Sequence, residues 1–109
     1  MGMEESAYIV LFITAADAEE ARQISRLLLE RRKAACINII PRVDSNFWWE
    51  DKLDSAQESL LIIKTKTSLL PEITDLVKGV HSNAVPEIIA LPIIGGNQEY
   101  LQWIDNNVS

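Results

Sequence analysis

The chain has 109 residues, 48% apolar and 24% charged, with a net charge of −6 at neutral pH. That length suffices for one domain with a real hydrophobic core, and the acidic balance excludes the phosphate-neutralising footprint of a general nucleic-acid binder and affinity for an anionic membrane. A single cysteine, Cys36, excludes an intrachain disulfide and fits a reducing compartment.

Apolar runs of six or seven residues are too short to span a bilayer, and no basic segment precedes the first of them. A cytoplasmic location is expected. Residues 1–7 read as a flexible N-terminus ahead of a single domain at 8–109. Tyr8 to Ile13 (YIVLFI) has no polar face and reads as a strand buried on both sides. Asp17 is the N-cap expected for a first helix, with Glu20 at capping-box spacing and Ala21, Ile24, Leu27 and Leu28 recurring at helical period as far as Arg31. Glu19 and Glu20 early, and Arg31, Arg32 and Lys33 late, suit the helix macrodipole.

Two strand signals follow, Ala35–Ile40 and Val43–Trp49, with Pro41 ending or bulging the first. Glu50-Asp51-Lys52 is a polar turn signal, and Leu60 to Lys66 is the returning apolar strand. Together they predict a long hairpin with an aromatic tip. Ser68 or Thr67 caps a second helix, with Pro71 in its first turn and Leu70, Ile73, Leu76, Val77 and Val80 as its buried stripe. Residues 81–86 read as a loop and Glu87–Ile94 as a strand in which Pro92 implies a bulge or an unpaired edge. Gly95-Gly96 turns the chain, and Asn97 caps a last helix with Tyr100, Trp103 and Ile104 on one side.

The order β-α-β-β-α-β plus a terminal helix predicts an α+β, ferredoxin-like domain whose two main helices cover one face of an antiparallel sheet. Several strands are apolar at successive positions, so the second face also needs cover. Association with further copies of the chain supplies it most simply.

Chemistry is sparse. No G-x-G-x-x-G, P-loop, H-E-x-x-H or C-x-x-C spacing occurs, and no nucleophile–base pair is visible, so an enzyme is not expected. Glu50, Asp54 and Glu58 share strand parity but sit among polar residues, as a solvent face does. Cys36, the only thiol, has apolar neighbours and reads as either a buried inert group or a nucleophile lacking a known partner. His81, the only imidazole, either caps the end of the second helix or serves a ligand site. Glu87 stands where a loop enters a strand. A metal site built from these groups needs ligands from several segments and more than one subunit, and Cys with His favours copper or zinc. Trp48 and Trp49 point to opposite faces if extended, one free to fill an interface and the other a cleft.

Ala34-Ala35-Cys36-Ile37-Asn38-Ile39, Phe47-Trp48-Trp49-Glu50, Leu61-Ile62-Ile63-Lys64-Thr65, His81 with Val85-Pro86-Glu87-Ile88-Ile89, and Tyr100-Leu101-Gln102-Trp103-Ile104 resemble, in order, the CutA divalent-cation tolerance family. The resemblance implies a homotrimer whose hairpin strands pair across subunits, like the trimers of PII signalling proteins. It implies no required cofactor, copper or another divalent cation as ligand through His81 and Cys36, and an inter-subunit cleft holding Trp49, Lys64 and Glu87. A small-molecule sensor and a structural trimer without ligand are the other readings. The chain departs from the family pattern at Ser82-Asn83-Ala84, where Pro-Tyr-Glu is usual, and at Asp51, where Gly is usual. It also has Ile13 and Val80 where some copper-binding members carry a cysteine and a second histidine.

Overall fold

The computed structural model describes residues 6–109. The expectation of a flexible N-terminus at 1–7 therefore lies, for 1–5, outside the described residues. Strand β1 (Tyr8–Ala15), helix α1 (Ala18–Glu30), strands β2 (Cys36–Trp49) and β3 (Lys52–Lys66), helix α2 (Leu70–Val80), strand β4 (Ile88–Pro92) and helix α3 (Gln98–Asn107) follow in order. The sheet runs β2-β3-β1-β4 with every neighbouring pair antiparallel, which is the expected α+β, ferredoxin-like arrangement. Among the described residues no helix is long and apolar enough to cross a membrane.

Helix α1 begins as expected. The Asp17 carboxylate accepts from the Glu20 N–H at 2.8 Å, and Glu20 accepts in turn from the Ala16 N–H at 2.8 Å. Its end is a Schellman turn, in which the Lys33 N–H reaches the Leu28 carbonyl and the Arg32 N–H reaches that of Leu29. Arg32 takes the left-handed conformation (φ 60°) usually given to glycine. Helix α2 differs from expectation. Neither Thr67 nor Ser68 caps it; Thr67–Leu69 form a 3₁₀ turn that runs into the helix, and the Thr67 hydroxyl donates to the Ser6 carbonyl instead. Val80, expected in the buried stripe, is 44% exposed; it is the last residue of the helix, and the buried stripe ends one turn earlier, at Val77.

The core lies between these two helices and one face of the sheet. Ile9, Leu11, Ile13 and Ala15 of β1 and Leu61 and Ile63 of β3 meet Ala21, Ile24 and Leu28 of α1 and Ile73 and Val77 of α2, all buried. Alternate residues point away from it. Within one chain, strand β1 therefore has one fully buried face and one partly buried face (Tyr8, Val10, Phe12, Thr14).

The hairpin is longer and more regular than expected. The two signals at Ala35–Ile40 and Val43–Trp49 are one strand interrupted by a bulge, with Pro41 between the paired residues Ile40 and Val43. The Ser59 hydroxyl donates to the Pro41 carbonyl at 2.9 Å, which satisfies a backbone acceptor at the bulge. The polar stretch Lys52–Ser59, not expected as strand, belongs to β3 throughout. It is strand because β2 pairs with it residue for residue up to Trp49↔Lys52. Since β1 reaches β3 only from Ser59 onward, Val43–Glu58 is a two-stranded arm outside the main sheet.

The arm closes through a two-residue turn in which Glu50 (φ 49°) and Asp51 (φ 63°) are both left-handed. The twist of the flanking strands favours such a turn, but a residue with a Cβ resists it. Replacing Glu50-Asp51 by Asn-Gly is expected to stabilise the protein by about 1 kcal/mol. Urea unfolding should show a higher midpoint with an unchanged slope.

Candidate functional site

The face of the sheet away from α1 and α2 is apolar. Pairing places Asn38, Ile62, Phe12 and Ile89 in one row across β2, β3, β1 and β4, and Cys36, Lys64, Val10 and Leu91 in the next. Ile40, Ile89 and Leu91 are 41%, 49% and 41% exposed. All five residues singled out from the sequence lie on this face or at its margins, but they do not converge within one chain.

Cys36 and Lys64 stand at one end. They are register partners, with the Lys64 ammonium 4.0 Å from the Cys36 sulfur and hydrogen-bonded to the Asn38 carboxamide. Helix α3 leans over this end, held by Lys66–Asp105 at 3.0 Å and by buried Ile104. It brings Tyr100 beside the thiol. Burial pushes the Tyr100 phenol above its ordinary pKa, and its contact with the Cys36 sulfur adds to that shift. The Tyr100 ring stacks on Trp103 with centroids 5.5 Å apart. Tyr100 entered the sequence reading only as one side of a helix, because its closeness to Cys36 depends on how α3 crosses the sheet.

His81 stands at the other end, against Thr14. Lys64 is paired with Val10, four residues from Thr14, or about 13 Å along the strand. The His81 imidazole is buried, with its side chain 1% exposed. Its Nε2 lies 2.7 Å from the Thr14 carbonyl, which can only accept, so Nε2 carries the proton. Its Nδ1 accepts from the Asn83 N–H at 3.0 Å. Both ring nitrogens are thus occupied by the chain itself, and the backbone N–H of His81 closes helix α2 on the Val77 carbonyl. The imidazole itself bonds Thr14 and Asn83 and none of the last carbonyls of α2, so it does not cap the helix end.

Glu20 joins the same cluster, and its part there was not foreseen. Its carboxylate accepts from the Ser82 N–H at 2.7 Å and the Ser82 hydroxyl at 3.1 Å while still capping α1 through the Ala16 N–H. The Ser82 N–H is essential to this arrangement, since a proline at position 82 would have no N–H to give. Burial pushes the Glu20 carboxyl up, but these hydrogen bonds and nearby His81 outweigh it and hold the pKa below its ordinary value. A group depressed in the fold contributes stability above its unfolded value, about 4.3, and loses it as pH falls through the folded value. Glu20→Gln should therefore unfold at lower denaturant than the parent at pH 7, by about 1 kcal/mol. The two midpoints should converge as the solution is taken below the folded pKa.

Trp49 is 62% exposed at the tip of the arm, and Glu87 is exposed just before β4. Trp48 pairs with Leu53 and Trp49 with Lys52, so the two rings occupy opposite faces as expected. A groove of about 470 Å³ runs beneath Trp49 between the arm and residues 83–85, lined by Phe47, Asp54, Ala56 and Glu58. Asp54 and Glu58 are therefore walls of a cavity; Glu50, grouped with them in sequence, lies in the turn.

A soft divalent cation needs free lone pairs on converging donors. Among the described residues no three His, Cys, Asp or Glu side chains converge. His81 has no free nitrogen, and Cys36 has an ammonium beside it. One chain alone does not fit such an ion.

A family model described as CutA1 divalent ion tolerance protein matches residues 9–107. The divalent-cation tolerance protein CutA of Archaeoglobus fulgidus is 46% identical over 98 residues, spanning 90% of this chain and 95% of that protein. The chloroplastic protein CutA 1 of Oryza sativa is 44% identical over 99 residues, 91% of this chain but 56% of its own length. The chain thus spans little more than half of that plant relative. Among solved structures, the divalent cation tolerance protein (Cut A1) of Thermus thermophilus superposes with a TM-score of 0.92 at 43% identity, covering 94% of this chain and 99% of that one. Element order, hairpin and site-bearing strands therefore have one source: the chain belongs to the CutA1 divalent ion tolerance family.

Proposed function

We propose that the chain acts in divalent-cation tolerance as a homotrimer, without catalysing a reaction and in the cytoplasm. The observation that carries the assembly is the second face of the sheet with the arm beyond it. Ile40, Phe47, Trp48, Trp49, Leu53, Ile89 and Leu91 are all exposed in a single chain, and an isolated two-stranded hairpin is marginal in water. Neighbouring copies would cover that face and extend the arm's pairing.

Copper or a related soft cation would then be met between subunits, where Cys36 can be joined by donors of another copy. Calorimetric titration of Cu²⁺ into chelator-stripped protein tests this. Saturable binding at a fixed ratio per chain, lost in Cys36→Ser, is the expected result; heat that persists unchanged in that variant would overturn the ligand assignment.

One observation favours a second reading, a cleft for a small anionic metabolite. Among the described residues no carboxylate lies within ion-pair distance of Lys64, although it faces the surface that assembly would enclose. Stabilisation by a metabolite that disappears in Lys64→Ala would establish it.

A further inference from the structure

We propose that Cys36 and Lys64 form a reversible oxidative cross-link, a sulfenamide between the Cys36 sulfur and the Lys64 nitrogen, when the protein meets a hydroperoxide. The two residues are register partners on the antiparallel strands β2 and β3, which puts their Cβ atoms about 5 Å apart on one face of the sheet. The Lys64 ammonium lies 4.0 Å from the Cys36 sulfur and donates to the Asn38 carboxamide. Among the described residues no carboxylate forms an ion pair with Lys64, so no competing anion draws its nitrogen away from the sulfur. Closing the remaining gap takes rotations in the flexible four-carbon stem of Lys64 and leaves both strands in place.

The chemistry takes two steps. The Cys36 sulfur attacks one oxygen of hydrogen peroxide; the S–O bond forms, the O–O bond breaks, and the thiol proton goes to the departing oxygen. The products are a sulfenic acid and water, and such an acid is ordinarily resolved by a second thiol or by a nitrogen. The chain has no second cysteine. A backbone nitrogen of β2 reaches the sulfur only by bending a strand paired with β3 from Cys36 onward, whereas Lys64 reaches it as a side chain. The Lys64 nitrogen, as the free amine, attacks the sulfur; the S–N bond forms, the S–O bond breaks, and the hydroxyl leaves as water with an amine proton. Sulfur is oxidised by two electrons, and the peroxide is reduced to water. The link is internal to one chain, so a neighbouring copy laid over the sheet leaves the two register partners side by side. It requires neither copper nor a metabolite.

Hydrogen peroxide is the probe, added to the chelator-stripped protein and followed by intact mass under denaturing conditions. The expected result is a loss of two hydrogens per chain with no oxygen gained, restored by dithiothreitol. Trypsin should then release peptide 34–42 joined to 53–66, uncut at Lys64. Lys64→Arg keeps a cation beside the thiol but removes the nucleophilic amine. Its Cys36 should run on to the sulfinic and sulfonic acids, which dithiothreitol does not reverse. Circular dichroism should verify that the variant is folded as the parent is. Three results would overturn the proposal. They are a parent that gains oxygens as the variant does, a loss of two hydrogens that persists in Lys64→Arg, and a thiol left unreacted because the assembly shuts the peroxide out.

Discussion

Ile89→Lys should convert the protein from an assembly to single chains. In one chain Ile89 is 49% exposed on an edge strand, beside Phe12 and in line with Ile62. Judged as a surface position, a lysine there would change stability by no more than about 0.5 kcal/mol. If copies close over this face, the same ammonium is buried without a partner, at a cost on the order of 3–5 kcal/mol per copy. The two costs differ enough to be separated by sedimentation alone. The parent should sediment as three chains and Ile89→Lys as one, with its far-UV circular dichroism retained because α1, α2 and the core lie on the other face of the sheet from position 89. A parent that sediments as a single chain would overturn the assembly, and the exposed arm would need another explanation.

This face is legible in the sequence because a strand's burial demand is written in its period. Tyr8–Ile13 offers no polar residue on either side, and helices enough to cover only one side follow. The long hairpin, the Asp17 cap and the Asn97 cap were legible on the same grounds, since each is a local pattern with a local cause. The extent of β3 was not. Lys52-Leu53-Asp54-Ser55-Ala56-Gln57-Glu58 has loop-like composition, and only the register imposed by the opposing strand makes it extended.

The bulge at Pro41 has a further consequence hidden from sequence parity. Because β2 advances three residues there while β3 advances two, the open face changes from even to odd positions along β2. Cys36, Asn38 and Ile40 thereby share a face with Val43, Phe47 and Trp49. The candidate site was legible only as a set of residues, not as an arrangement. Cys36 with Lys64 follows from strand register, whereas Tyr100 at Cys36 and Glu20 at Ser82 arise from contacts 64 and 62 residues apart in the chain, which no spacing encodes.

His81→Ala should be the most damaging change in the loop that follows α2, by about 2–4 kcal/mol and with no metal present. The ring is packed out of solvent, and its removal leaves a void bounded by the Thr14 backbone, Glu20 and residues 82–83. It also strips the partly buried Thr14 carbonyl of a partner, and a buried unpaired group costs more than the bond it once made was worth, whereas the exposed Asn83 N–H can turn to water. Glu20 loses part of what holds its pKa down, since His81 contributes to that field. Residues 82–85 should loosen as a unit, and faster hydrogen exchange at the Asn83 amide would report it.

The same substitution separates two roles for the histidine. A ligand histidine that is otherwise idle would leave the chelator-treated protein as stable as its parent, and only stabilisation by added Cu²⁺ would be lost. A latch histidine gives the reverse pattern: a large loss in chelator, and an increment from Cu²⁺ that is the same in parent and variant. The hydrogen bonds on both ring nitrogens favour the latch, because a metal ion could take Nδ1 only by displacing the Asn83 N–H, or Nε2 only by releasing Thr14. Either exchange would open the loop between α2 and β4, so copper bound through His81 would have to bring faster exchange at Asn83 with it.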